Sequence, residues 1–446
     1  MRLAIVEGVL YAAMVGLGEF WIVADAVRLG SSPFLLAASV TLPQLVGALG
    51  AVGMLGLLRH APARRPLVMT AVALQGGNLV VLGLLSALGV TTPALLVTLA
   101  CLHQLFGMPA GTAWSSWFGE VVPRQLRGRW FGARVRWIHG TTFVAIVAGG
   151  LVLGAVEPAS AGTRVEGGGL GYGLLYTLAG VLRLSCLALQ ARSWEPAFHP
   201  PALREHVRDV VTSRSGAGVL LAGSAMLFAV CVSTPYFAPH MLETLAFTYP
   251  QYLAAQGAMI GMKVVSLGTW GRWVDRAGAL PTYRVAAVLV GLVPLPWLFA
   301  DRAAVVYFAQ AFSGVAWAGH EVSLLALTLG AVGPRQRAVL LTAQSVSNGV
   351  AQVAGGLLGT AIVGGLGIQY TWTFLVSGVG RLSVAILSPA WLATLASVHV
   401  RRGRMATRVV AWTPHGGPIR QLLPPSPARS ETPVPGVITD PDRGAP

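Results

Sequence analysis

The chain has 446 residues, 54% of them hydrophobic and only 11% charged, with a mean hydropathy of +0.66. A soluble domain carries about a quarter charged residues, so a water-facing globule is excluded and an integral membrane protein is expected. The net charge of +15 collects in alternate loops between apolar segments; that is the pattern of a membrane face near anionic lipid, and it excludes a nucleic-acid binder.

Crossing a bilayer as a helix takes about 20 mostly apolar residues. Twelve such segments follow one another: 3–27, 33–58, 66–89, 93–118, 137–156, 170–190, 217–242, 252–270, 282–300, 303–332, 338–366 and 370–398. Leu, Ala, Val and Gly fill them without strict alternation, which excludes a β-barrel, and backbone groups in lipid must bond internally, which makes them helices. The first segment contains Glu19 and ends in VADA, which resembles a signal-peptidase site. An acid is out of place in a signal core, so the segment is expected to be retained as the first helix.

Arginines set the orientation. With the N-terminus inside, the inner loops carry Arg59, Arg64 and Arg65, then Arg124, Arg127, Arg129, Arg134 and Arg136, and so on to Arg401, Arg402, Arg404 and Arg408, while the outer loops carry only Arg28, Arg164 and Arg302. Both termini are therefore expected in the cytoplasm. Cys101, Cys186 and Cys231 all lie inside or at the edge of apolar segments, so neither a disulfide nor a cysteine-based metal site is expected.

Short strings recur in the same order. PRQ (123–125) returns at 334–336, VAGGLVLG (147–154) as VAGGLLG (353–359), and GVLRLS (180–185) as GVGRLS (378–383). The expected fold is thus an all-α membrane protein of twelve transmembrane helices in two six-helix bundles, 1–190 and 217–398. The stretch 191–216 reads as a cytoplasmic linker, and the basic, Pro-rich tail 399–446 as disordered.

GRWVDRAG (271–278) matches the G-x-x-x-D-R-x-G loop of the major facilitator superfamily, at the position that family uses between its eighth and ninth helices. WSSWFGEVVPRQLRGRWFGAR (114–134) is similar to a loop in uncharacterised members. The chain resembles that superfamily over all twelve segments. One departure stands out: in GMLGLLRHAPARR (53–65), where the family carries its better copy of the loop, His60 takes the place that Asp275 has in the second half. In the loop itself, Gly271 and Gly278 permit a tight turn. Asp275 and Arg276 sit beside inner-face arginines, and a pair between Asp275 and Arg127 or Arg129 is expected to hold the inner gate shut in one state.

Several ionisable or polar residues lie at depth. They are Glu19 in segment 1, His103 and Gln104 in segment 4, the single lysine Lys263 in segment 8, and His320 with Glu321 in segment 10. Such residues are functional candidates because leaving them in lipid is costly. The resemblance implies that helices 1, 4, 7 and 10 line a central cavity. Adjacent helical residues point about 100° apart, so His320 and Glu321 cannot face one partner. Glu321 is read either as a proton site tuned by Lys263 or as half of a static pair with it, and Glu19 as a proton or amine site or as a partner of Gln44 or Gln75. Tyr236 and Trp317 are expected to line the cavity, and Gln344, Asn348 and Gln352, at i, i+4 and i+8 on one helix face, to present a polar stripe to it. Arg183 and Arg381, equivalent in the two halves, are read as structural charges. Gly150–Gly154 and Gly355–Gly359 are read as close contacts where the halves slide.

Lys263 belongs to no Walker A loop, so no ATP is expected, and Leu324 breaks the H-E-x-x-H zinc pattern, so neither metal nor other cofactor is expected. The function read from these residues is secondary active transport of a small organic solute by alternating access, coupled to protons or another ion, in the cytoplasmic membrane. Mixed acids and bases suit a zwitterionic or weakly polar solute. Export is the favoured direction, although segment 5 lacks the proline usual in drug antiporters. A lipid flippase or a non-transporting receptor on the same scaffold remains open; an enzyme is not expected.

Overall fold

The first apolar segment breaks at its acid. α1 (Arg2–Leu17) stops at Gly18, a 3₁₀ turn spans Glu19–Trp21, and α2 (Ile22–Arg28) resumes the path. The computed structural model describes residues 2–121, 127–157, 169–198, 207–333, 336–365, 370–395, 407–413 and 417–422. α3 (Pro33–Leu58), α4 (Arg65–Ala87), α5 (Pro93–Val121), α6 (Arg127–Val156) and α7 (Leu170–Ala191) complete an N-terminal set. Short α8 (Val207–Thr212) leads to a C-terminal set. This set comprises α9 (Arg214–Cys231), α10 (Thr234–Pro239) with a π turn His240–Thr244, α11 (Tyr249–Ala277), α12 (Ala279–Leu292), α13 (Ala303–Ala331), α14 (Arg337–Thr360) and α15 (Tyr370–Trp391).

Local chemistry starts several of these helices. Ser32 accepts from the Leu35 amide and Pro33 follows at the first helical position; Thr248 and Gln251 form a reciprocal capping box ahead of α11. Gly278 ends α11 and begins α12 at φ +94° and ψ 162°, a region only glycine adopts at little cost.

Among the described residues, ten helical stretches are long and apolar enough to cross a membrane: Leu3–Arg28, Pro33–Leu58, Arg65–Ala87, Pro93–Phe118, Arg136–Val156, Leu170–Ala191, Arg214–Thr244, Ala279–Phe299, Val339–Gly364 and Tyr370–Trp391. α11 and α13, 29 residues each, are not among the ten. They carry Gln256, Lys263, Arg272, Gln310, His320 and Glu321, and these polar groups dilute their apolarity.

Packing partners recur between the sets. α3 lies on α5 as α11 lies on α13; α4 on α7 as α12 on α15; α1 on α6 as α9 on α14. Two reciprocal contacts join the sets, α3 with α14 and α6 with α11.

The two ends of this assembly differ. Near Arg28 a single apolar core crosses both sets, holding Trp21, Tyr172 and Tyr176 together with Tyr236, Tyr249, Tyr252, Trp297 and Phe374. Towards Arg59 each set keeps its own core, around Trp114, Trp117 and Phe118 in one and around Val219, Met226 and Tyr283 in the other. A cleft of about 590 Å³ parts them there, between Val52, Leu55 and Arg59 of α3 and Val339, Ala343 and Val346 of α14.

The chain divides into the unit Met1–Val398 and a second unit, His399–Pro446. In the second, β1 (Thr407–Thr413) and β2 (Gly417–Leu422) pair antiparallel, inside the stretch whose composition suggests disorder.

Candidate functional site

A cavity of about 490 Å³ lies between the two sets. Phe20, Val23 and Val40 line it from the N-terminal set; Phe237, Lys263, Trp297, Gln310, Trp317, Glu321, Gln352 and Arg381 are among those lining it from the other. Lys263 Nζ donates to Glu321 Oε1 at 2.7 Å, with side chains 34% and 49% exposed. At that exposure an ion pair contributes only about 0–1 kcal/mol, so it opens readily. α11 and α13 pack closely along each other, which is what places these two residues side by side.

His320 turns away from its neighbour. It is buried, its ring centroid 5.4 Å from those of both Tyr283 and Trp317, and its Nε2 has no protein partner. Trp317 lines the cavity, but Tyr236 does not. Tyr236 is fully buried against Tyr370, and its hydroxyl donates to the Pro33 carbonyl of the other set at 3.3 Å. The next residue, Phe237, takes the lining position because Pro235 and Pro239 reset the helix there. Gln344 and Asn348 bond each other at 3.1 Å, and Ser224 of α9 donates to Asn348. They therefore join α14 to α9, and of that stripe it is Gln352 that reaches the cavity.

Glu19 and His103 form a second pair, inside the N-terminal set. His103 Nε2 is 2.7 Å from Glu19 Oε1, with side chains 1% and 21% exposed respectively, and Gln104 donates to Glu19 Oε2 at 3.5 Å. Glu19 is not a lining residue of the central cavity, although Phe20 beside it is. Gln75, one of the two glutamines weighed as a partner of Glu19, reaches His103 instead, 3.1 Å from Nε2. Arg183 Nε donates to Gln75 Oε1 at 2.8 Å, and its Nη1 is 3.7 Å from Glu7 Oε1. Glu7 also takes Arg134 at 3.2 Å and Gln190 at 3.2 Å. A continuous polar chain thus runs from Glu19 to Arg134 through the bundle interior.

The two arginines at equivalent positions are held differently. Arg183 has a carboxylate, Glu7, whereas Arg381 is 1% exposed and, among the described residues, bonds only neutral oxygens: Ser377 and Ser233 hydroxyls at 2.9 Å each, and the Val290 and Val230 carbonyls at 3.5 and 3.4 Å.

At the Arg59 end, Asp275 and Arg276 are exposed and Gly271 faces open space, while the side chains of Arg127 and Arg129 lie outside the described residues. In the first half, a few residues from His60, an ion-pair cluster forms around Arg64. Fully buried Arg64 contacts Glu120 at 2.9 Å and Glu195 at 3.5 Å, and the Glu195 carboxylate accepts from the Arg64 and Arg65 amides. That carboxylate therefore caps the start of α4.

At the opposite end, Asp25 is wholly buried, its carboxylate 2.6 Å from Arg28 and accepting from the Tyr176 hydroxyl at 3.2 Å. Tyr172 of α7 donates to the hydroxyl of Tyr249 of α11 at 3.1 Å, tying the sets together. Gly150 and Gly154 do lie at that contact, against Leu253 and Pro250, but Gly355 and Gly359 pack within their own set, Gly355 on α9 and Gly359 against Val232 and Tyr236.

Glu7, Arg64, Glu120 and Glu195 are the working charges that sequence reading passed over. Each lies near the end of an apolar segment, where a charge looks solvated; an acid in the first turns of α1, a few residues before Tyr11, was the one available signal.

No family model matches the chain, and no curated protein does. Solved structures match it closely in shape at low identity. A POT family transporter in complex with a thioalcohol-conjugated peptide aligns with a TM-score of 0.69 at 10% identity, over 89% of this chain and 96% of that one. A mutant of the nucleoside transporter NupG gives 0.66 at 12%, over 87% and 99%. A bacterial homologue of the human lysosomal transporter Spinster, inward-facing and unoccupied, gives 0.61 at 12%, over 88% and 94%.

Proposed function

We propose that this chain, whose fold is that of the major facilitator transporters, is a secondary transporter that moves a small organic solute by alternating access. The observation that carries the reading is the 490 Å³ cavity between the two helix sets, with a half-exposed Lys263–Glu321 pair in its wall. Transporters built from two repeats hold substrate near mid-membrane between them. The recurring packing pairs support a duplicated six-helix unit of twelve spans, with α11 and α13 as its polar members.

The arginine bias puts the Arg59 end in the cytoplasm. Shared core at the Arg28 end and a cleft at the Arg59 end then describe an inward-open state. Rocking about α3–α14 and α6–α11 closes that cleft and parts Tyr172 from Tyr249.

Two carboxylates serve as the coupling sites. Glu321 exchanges Lys263 for a proton with little loss, because the pair is wet. Glu19 shares a proton with His103 at 2.7 Å in a drier setting, where a change in charge has a larger effect. Proton release to the inside and uptake from the other side would each be tied to rocking. The arrangement serves transport rather than catalysis, and the favoured direction is export.

Proteoliposomes loaded with a pH dye test this reading. Solute-induced proton movement is expected in the wild type and expected to vanish in Glu19→Gln and in Glu321→Gln. Undiminished movement in both variants would remove the coupling mechanism.

A further inference from the structure

Among the described residues, three charged ones line the central cavity: Lys263, Glu321 and Arg381. The first two cancel at 2.7 Å. Arg381 remains, almost wholly buried, with no carboxylate within ion-pair distance among the described residues. A guanidinium stays charged under all ordinary conditions, and burying such a charge without a counter-ion costs several kcal/mol. Four hydrogen bonds to neutral oxygens reduce that cost but leave the positive charge in place.

The duplicate position sharpens the point. Arg183 occupies the same place in the first half, and there the protein supplies Glu7 at 3.7 Å. The second half supplies no such acid, and its arginine is the one that borders the cavity. Two bonds of Arg381, to Val290 and Val230, are long at 3.5 and 3.4 Å, so the Nη1–Nη2 edge can give them up to a stronger acceptor.

Resting on the transporter reading above, we propose that Arg381 is the recognition site for an anionic group, and that the cargo is an organic monoanion of the carboxylate class with an aromatic or branched apolar body. One negative charge brings the lining to neutrality; a dianion such as a phosphate monoester would overshoot it in a low-dielectric space. Phe20, Phe237, Trp297 and Trp317 supply flat apolar surface for the body. The cavity volume suits a molecule of one or two rings.

The test is binding, so it stands apart from transport. The purified full chain is titrated with isosteric sets of an arylacetate, its arylacetamide and the matching arylethylamine, in phenyl, naphthyl and indolyl forms, read by thermal shift and tryptophan fluorescence. In at least one set the acid is expected to bind about tenfold to a hundredfold tighter than amide or amine, the range of a hydrogen bond to a charged group. Arg381→Gln is expected to erase that preference while leaving amide binding unchanged. If that variant does not fold, Lys263→Gln/Glu321→Gln decides, since it removes the other ion pair at constant net charge: the acid preference is expected to persist. Equal binding of acid and amide in every set, an acid preference that survives Arg381→Gln, or one lost in the double variant would each overturn the assignment. A proton-coupling failure with acid preference intact would sink the coupling mechanism and leave this site standing.

Discussion

Glu7 stands between two arginines, and that geometry makes unequal predictions for its partners. Glu7→Gln leaves buried Arg183 and partly buried Arg134 both without their acid, and is expected to cost on the order of 3 kcal/mol of stability. Arg183→Met leaves the Glu7–Arg134 pair balanced and removes mainly one hydrogen bond to Gln75, so about 1 kcal/mol is expected. Thermal unfolding in detergent measures both; a larger loss for Arg183→Met would mean that Arg183, not Glu7, organises the network. At this scale, residues in the middle of apolar segments were legible: Glu19, His103, Lys263 and Glu321 stand out because the segments around them are otherwise mostly apolar. Their partners were not, except for Lys263 with Glu321. Which of Gln44, Gln75 or His103 meets Glu19 depends on how α4 and α5 pack, and one sequence carries no record of that.

Among the elements, the loop signature of the second half contains two glycines with opposite demands. Gly278 lies at φ +94° with its nearest neighbour for an added methyl, Pro281, 3.7 Å away, so space is no obstacle and the backbone is. Gly278→Ala is expected to cost about 1–3 kcal/mol. Gly271 is helical and faces open space, so Gly271→Ala is expected to leave stability unchanged or raise it by up to about 1 kcal/mol. Urea or thermal melts of the two variants check the contrast; equal losses would place the strain elsewhere. Helix positions were legible from apolar length, and the structure keeps nearly all of them. The break at Glu19–Trp21 was not: it lies where Gly18 approaches Ala179 of α7 and Glu19 meets His103, long-range contacts that one sequence does not record. The polarity of α11 and α13 was visible too, and it marks the helices that wall the cavity.

For the whole molecule, the two ends define its state. At one end an aromatic core and the Tyr172–Tyr249 bond hold the sets together; at the other each set has a separate core and a cleft lies between them. Three short recurring strings anticipated the recurring packing pairs, while the difference between the two ends left no mark in the sequence. The central claim is that the ends open in turn. Its most direct measurement is a pair of spin-label distances in lipid nanodiscs, one between His60→Cys and Gly333→Cys at the cleft end, the other between Val90→Cys and Phe299→Cys at the sealed end. Acidification through the carboxylate and histidine range, or addition of cargo, is expected to shorten the first distance and lengthen the second together. Distances that stay fixed under every condition, or that lengthen at both ends at once, would contradict alternating access.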